Sequence, residues 1–346
     1  MSLEAPIREP IASASPQGER VLDYAKAVNE ALALAMERDP NVFVIGQNTT
    51  DCTGVFGTCL GLAERFGAHR VIEAPLAETA TAGWITGAAL SGMRPVLILN
   101  RPDFLFLMMD QLVNHASKWH YMFNGQVRVP LTVWAPVARG WGTACQHTQA
   151  LHGMFMHFPG FKVVTPSNAG DAKGLLLGSI FDDNPVMFFD HRRAMRFPSE
   201  TPEGFYTVEI GRAARLREGS DVSLITLNLG VQLCLKAAEE LAERGVSAEV
   251  IDLRSCKPWD REMIIDAVGR TGRAVVVDDS AWPMAGLAAE VSATLNEALF
   301  GRLKAPVARV TCPDAPTPSS YVLENAYYPT TADVVAAVSR AMSFGA

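Results

Sequence analysis

Apolar and polar positions along this chain follow two rhythms, one of helical period and one of short unbroken apolar runs. VLDYAKAVNEALALAMERDP, residues 21–40, carries apolar side chains at helical spacing, which predicts an amphipathic helix stopped at Asp39-Pro40. VFVIG (42–46) reads as a strand, followed by a Gly/Thr-rich loop over 48–57, a helix ending near Phe66-Gly67 and a short strand around Val71. A helix rich in Ala and Gly over 79–92 must pack closely against something. Strands at 95–100, 130–136 and 162–166, with a helix at about 104–118 between the first two, continue the alternation. The strand runs are apolar throughout rather than at every second residue, so both their faces are covered. That predicts a mainly parallel sheet flanked by helices, an α/β domain.

Residues 186–220 break the rhythm with the basic stretch DHRRAMRFPSE and then a Pro/Gly-rich, strand-like passage through Tyr206 and Ile210. The alternation then restarts. DVSLITLNL, AEVIDLR and AVVVDDS read as strands, separated by the helical patterns VQLCLKAAEELAERG and DREMIIDAVGRTG. The expected organisation is a flexible arm over 1–18, a first α/β domain over 19–195, a linker over 196–215 and a second α/β domain over 216–346. Two domains also suit a length of 346 residues.

Composition narrows the function. Hydrophobic residues make up 49% and charged residues 19%, enough to build buried cores. A net charge of −7, with no basic stripe interleaved with aromatics, argues against nucleic acid as a partner. No apolar run approaches the roughly 18 residues a membrane span needs. The six cysteines, Cys52, Cys59, Cys145, Cys234, Cys256 and Cys312, fall in no zinc or disulfide spacing, and the N-terminus has no apolar signal core, so a reducing cytoplasm is expected.

The familiar phosphate and hydrolase signatures are absent: no glycine fingerprint joins a strand to a helix, and there is no nucleophile elbow or zinc-binding helix. What remains are polar and aromatic residues just beyond strands, where open α/β sheets bind ligands. Glu78 stands in RVIEAPLAETATAG at the start of the small-residue helix, a place where the helix dipole favours any acid. Phe104 follows the strand ending near Asn100 and reads equally as a core aromatic. His147, in TACQHTQALHG, is a loop imidazole able to exchange a proton near neutral pH. Ser179, Asp182 and Asn184, in SIFDDNP, fit either a turn capped by its own side chains or an oxygen cage for a hard cation. Arg192, Arg193 and Arg196 form a basic cluster suited to a phosphate, a carboxylate or solvent.

The order and wording of these segments resemble one family. GVFG…GLAERFG…RVIEAPLAE, DQLVNHASKWHYMFNGQ, CQHTQALHGMFMHFPGFKVVTPSNAGDAKGLL, FDDNPVMFF, AEVIDLRSCKPWDRE and APVARVTCPDAPTP occur in sequence from Val21 almost to the C-terminus. Together they look like the beta subunit of the 2-oxo acid dehydrogenase decarboxylating components, in the transketolase-like superfamily. The resemblance implies a thiamine diphosphate pyrimidine-binding domain followed by a transketolase C-terminal-like domain. It makes Glu78 the carboxylate that activates the cofactor's aminopyrimidine, Phe104 the ring stacked on it, and His147 a proton donor or acceptor at the reacting carbons. Gln47 joins the cofactor-facing set, at a place where relatives often carry an acid; a glutamine cannot titrate.

The same resemblance implies potassium at Ser179, Asp182 and Asn184. It implies an alpha subunit as well, because the GDG…N motif that holds magnesium and the diphosphate is missing from this chain. An α2β2 assembly acting on a 2-oxo acid and passing the acyl group to a lipoyl-bearing acyltransferase is the leading expectation. The changes at Gln47 and around Asn100–Asp103 keep a second one in view: half of a split transketolase-like enzyme that moves a two-carbon or acyl unit from a ketol or 2-oxo acid to a non-lipoyl acceptor.

Overall fold

The structure is a computed structural model describing residues 20–137, 139 and 142–345; the arm expected over 1–18 lies outside them. Its first strands are β1 (Val21–Asp23), β2 (Val42–Gly46), β3 (Val71–Glu73), β4 (Arg94–Ile98), β5 (Thr132–Trp134), β6 (Lys162–Val164), β7 (Val186–Phe188) and β8 (Pro198–Glu200). There follow β9 (Ala214–Arg217), β10 (Val222–Thr226), β11 (Ala248–Asp252), β12 (Ser255–Lys257), β13 (Ala274–Asp278) and β14 (Ala308–Thr311). One sheet has the order β12-β6-β7-β5-β4-β2-β3, with every pairing parallel except β12 to β6. The other has the order β14-β13-β10-β11-β9, antiparallel only at β9. Strands β2, β4, β5, β10, β11 and β13 are buried at every residue, as their unbroken apolar runs predict.

Helices Tyr24–Arg38 and Ala169–Ile180 cover one face of the first sheet through Tyr24, Val28, Leu32, Leu175 and Leu176. On its other face Ile85, Leu105, Leu112 and Phe155 form a core that continues without a break into Ile225 and Val276 of the second sheet and Ile264 and Leu295 of the helices Arg261–Thr271 and Leu287–Leu299 that cover it. The two sheets therefore share a core. The segment between them is built in: β8 pairs antiparallel with β1, and Tyr206 and Val208 are buried against the first domain's outer core. Among the described residues no helix is long and apolar enough to cross a membrane.

Polar contacts join the sheets at the same seam. Arg254, between β11 and β12, grips Asp171 at the start of helix Ala169–Ile180 with 2.8 and 2.9 Å contacts, and the Ser167 hydroxyl donates to Asp252. His152 Nε2 lies 2.7 Å from Asp278, and Arg139 lies 2.7 Å from Asp279. Burial opposes the charged form of His152, but the charge and hydrogen bond of Asp278, with Asp279 behind it, raise its pKa above the usual value. A pKa raised on folding adds stability that is complete below the unfolded value of about 6.5 and is lost as pH climbs through the folded pKa. Asp252, pushed up to about 7 by burial and by Asp171, acts in the same direction. Denaturant unfolding from about pH 6 to about pH 9 should show falling stability, and His152→Gln should lessen that slope; an unchanged slope in the variant would clear this pair of the effect.

Candidate active site

Because β3, β2, β4 and β5 are adjacent and parallel, the chain leaves all four at one edge of the sheet. Gln47 follows β2 directly. Glu78 is the first residue of helix Glu78–Leu90, which comes after β3; Phe104 comes after β4, and His147 in the loop after β5. The topology thus gathers at one edge four residues spread over a hundred positions of sequence.

The turn after β2 is held from both sides. Glu73, the last residue of β3, accepts from the backbone N–H of Asn48 at 2.6 Å and from the hydroxyls of Thr49 and Thr50 at 3.2 Å each. Asn100 Nδ2 donates to the Gln47 carbonyl at 3.2 Å and to Asn48 Oδ1 at 3.0 Å, so the exit of β4 fixes the backbone of Gln47. Gly46 is required here: a Cβ on it would run into the Ile98 carbonyl of β4. Glu73 escaped the sequence reading, although two acids stand in RVIEAPLAE; an acid ending a strand of a parallel sheet was the available signal.

Phe104 does not sit on an α-helix. Residues Pro102–Met108 form a 3₁₀ segment and Asp110–Ala116 a π-helix, with a four-residue α-turn at Trp119–Met122. Proline begins the tight segment, and the Ser117 N–H reaching back to the Leu112 carbonyl at 3.0 Å marks the widened turn. Apolar spacing alone does not separate these windings from an α-helix. The hydroxyl of Thr79, next to Glu78, donates to the Leu107 carbonyl at 2.6 Å and ties the start of helix Glu78–Leu90 to the segment bearing Phe104.

Phe104 and His147 touch: their ring centroids are 5.5 Å apart and the planes cross at 88°, an edge-to-face contact. Asp103, buried beside them, accepts from Gln149 Nε2 at 2.8 Å and from the Gln149 backbone at 3.4 Å, which pins the His147 loop to the Phe104 segment. Burial raises the Asp103 pKa, opposed by the Gln149 hydrogen bonds and the nearby His147. Glu78 is half-buried and has no hydrogen-bond or ion-pair partner among the described residues. An unpartnered carboxylate at a helix start, with an aromatic ring and an imidazole at the same sheet edge, suits an aromatic nitrogen heterocycle with a ring nitrogen to bond and a face to stack.

The potassium expectation fits less well. Ser179 turns its hydroxyl back onto the Leu175 carbonyl at 2.7 Å, and Asp182 binds the Lys162 ammonium and the Asn184 N–H. Arg94 occupies the carbonyls of Ile180 and Asp182 at 3.1 and 2.8 Å and pairs with Asp183, which Arg128 also contacts at 2.7 Å. Three cationic side chains already answer the two aspartates. Among the described residues no cluster of three or more His, Cys, Asp or Glu could hold a metal.

Residues 20–198 match the family Transketolase, pyrimidine binding domain, and residues 211–334 match Transketolase, C-terminal domain. The chain is 39% identical over 328 residues to the acetoin:2,6-dichlorophenolindophenol oxidoreductase subunit beta of Bacillus subtilis, covering 91% of this chain and 96% of that protein. From the same organism, the 2-oxoisovalerate dehydrogenase subunit beta is 39% identical with 93% and 99% covered. The pyruvate dehydrogenase E1 component subunit beta is also 39% identical, with 92% and 98% covered. Among solved structures, a split-gene transketolase in an inactive beta4 tetramer superposes with a TM-score of 0.74 at 22% identity, over 94% of this chain and 99% of that one; this likeness concerns the fold.

Proposed function

The chain belongs to the family of E1 beta subunits of thiamine diphosphate-dependent 2-oxo acid dehydrogenases, and from that premise we propose that Glu78, Phe104 and His147 are its working residues in decarboxylating a 2-oxo acid. The observation that carries the assignment is the shared strand-end edge, on which Phe104 and His147 meet edge to face and Glu78 keeps an unpartnered carboxylate. Thiamine diphosphate, when bound, supplies a carbon nucleophile for the substrate carbonyl and a sink for the electrons left when carbon dioxide departs. Glu78 would hold the pyrimidine through a ring nitrogen, its carboxylate being the group able to share a proton there. Phe104, whose ring is braced edge to face by His147, would offer its face to the same ring. His147 gives or takes a proton at the substrate's carbonyl oxygen.

This edge supplies the pyrimidine side only. An alpha subunit carrying the GDG…N motif would hold the diphosphate through magnesium, in an α2β2 assembly, with a lipoyl-bearing acyltransferase as acceptor. Apolar side chains exposed beside the site support this reading. Leu76 in the loop before helix Glu78–Leu90, Trp84 on that helix, and Phe106, Leu107, Tyr121 and Met122 on the neighbouring windings are large apolar side chains left exposed, with Leu76 at 82% and Tyr121 at 88%. We place the assembly in the cytoplasm, where its six unpaired cysteines would stay reduced.

Mixing the chain with an alpha subunit, thiamine diphosphate, magnesium and pyruvate or 2-oxoisovalerate should release carbon dioxide and acylate a lipoyl domain. Extension of a sugar or carrier-bound acceptor without lipoyl acylation would replace the dehydrogenase reading with the split transketolase-like one. No turnover dependent on thiamine diphosphate, with any donor, would end both.

A further inference from the structure

The loop that carries His147 is anchored from the second domain at both of its ends. Before it, Arg139 Nη1 donates to Oδ2 of Asp279 at 2.7 Å, and the guanidinium carbon lies 4.4 Å from the centroid of the Tyr328 ring. After it, His152, the first residue of helix His152–His157, has Nε2 2.7 Å from Oδ2 of Asp278. Asp278 is the last residue of β13 and Asp279 the next. All four side chains are buried, Arg139 the least at 8% exposed. Two neighbouring acids at one strand end of the second sheet thus grip the first domain on either side of His147.

Between these anchors the backbone is under constraint. Ala144 has φ +58°, in the left-handed region that an L side chain resists, and the Thr148 hydroxyl donates to its carbonyl at 2.7 Å. Gly142 has φ +63°, and a Cβ there would come within 3.1 Å of the Ser319 carbonyl of the second domain. Such a conformation persists only where the surroundings over-determine it. The contact of Gln149 with Asp103 ties the loop to the Phe104 segment, but both belong to the first domain. The two ends are fixed from the second.

We propose that Asp278 and Asp279 are positioning residues for the reaction: by holding both ends of the His147 loop they set where the imidazole meets the substrate. Each acts through its partner, Asp279 through Arg139 and Asp278 through His152. The second domain thereby takes part in chemistry performed on the first. Removing one member of a buried charged pair leaves the other unanswered, and the loop can relieve this only by moving. A displacement of about 1 Å at a reacting group can cost about 100-fold in rate. The inference rests on the reading of His147 given above.

The test uses the enzyme assembled with an alpha subunit, thiamine diphosphate and magnesium, and compares Asp278→Asn and Asp279→Asn, each alone and combined with His147→Ala, with the unaltered chain. Asparagine keeps the size and an acceptor oxygen and removes the charge. In each single variant kcat should fall about 10- to 100-fold, while KM for the 2-oxo acid and the dissociation constant of thiamine diphosphate stay within about three-fold. On the His147→Ala background the same substitutions should lower kcat by less than about three-fold, because the group they position is gone. Hydrogen exchange in the assembled enzyme should quicken over residues 142–151 and not over helix Glu78–Leu90. Arg139→Lys, which keeps the charge but loses the fork, and His152→Gln stand in for an asparagine variant that does not assemble, and should show the same split. Asp171→Asn, which loosens the same seam away from the loop, is the comparison for general loosening. Unchanged kcat in the assembled variants, an equal loss in Asp171→Asn, or a loss that persists in full without His147 overturns the positioning role and leaves the functional reading standing. Absence of thiamine diphosphate-dependent turnover in the unaltered enzyme, or unchanged turnover in His147→Ala, overturns the reading on which the role rests.

Discussion

Glu78→Gln is expected to lower turnover of the assembled enzyme by about 10²- to 10⁴-fold, the range that a positioned proton-transfer group contributes. Glutamine keeps the shape of the side chain and a hydrogen-bonding end, so thiamine diphosphate should still bind, and a binding titration should find its affinity within a few-fold of the original. The substitution removes the charge that fixes the pyrimidine tautomer. Folding should survive: Glu78 opens helix Glu78–Leu90 with no side-chain hydrogen-bond or ion-pair partner among the described residues to lose, and the helix-dipole contribution of one acid there is about 0.3–1 kcal/mol. Unchanged turnover would remove Glu78 from the mechanism, whereas lost cofactor binding would make it a holding group only.

The second large effect concerns the seam between the sheets. Arg254→Met should destabilise the chain by about 3–5 kcal/mol, because it takes from the Asp171 carboxylate, 1% exposed, its ion pair and its charge-assisted hydrogen bond with Arg254, leaving the charge to the Asn168 amide alone. The double variant Asp171→Asn with Arg254→Met should recover a large part of that loss, since breaking a buried pair by one partner costs more than removing both. Chemical denaturation of the two single variants and the double one completes the cycle. Additive losses would show that Asp171 and Arg254 act separately and that the shared apolar core alone joins the sheets.

Much of this architecture was readable in advance. Continuous apolar runs such as VFVIG and AVVVDDS announced strands buried on both faces, and these are central strands of the two sheets. The succession of segments pointed to the family whose domains the chain matches. What escaped depends on contacts distant in sequence or on backbone winding. The window 104–118 shows apolar residues at spacings that 3₁₀, α and π windings all tolerate, so the 3₁₀ and π segments around Phe104 and Asp110 were out of reach. The oxygens of SIFDDNP are visible in the sequence, but the cations that meet them, Arg94, Arg128 and Lys162, arrive from other strands and loops. Glu73 and Asp103 gain their roles only from the strand order, which brings them to the turns they brace.

The three residues of β12 bear on how this protein can be divided. They lie after β11 in the second sheet, yet they pair with β6 at the border of the first. A fragment stopping at the end of the pyrimidine-binding domain would leave the backbone donors and acceptors of β6 open, an edge on which another chain can align. The complementary fragment would carry Arg254 with no Asp171 to hold. Dissection of the gene at the boundary between its two family domains should therefore give pieces that aggregate or seek each other, and only the intact polypeptide closes its own sheet.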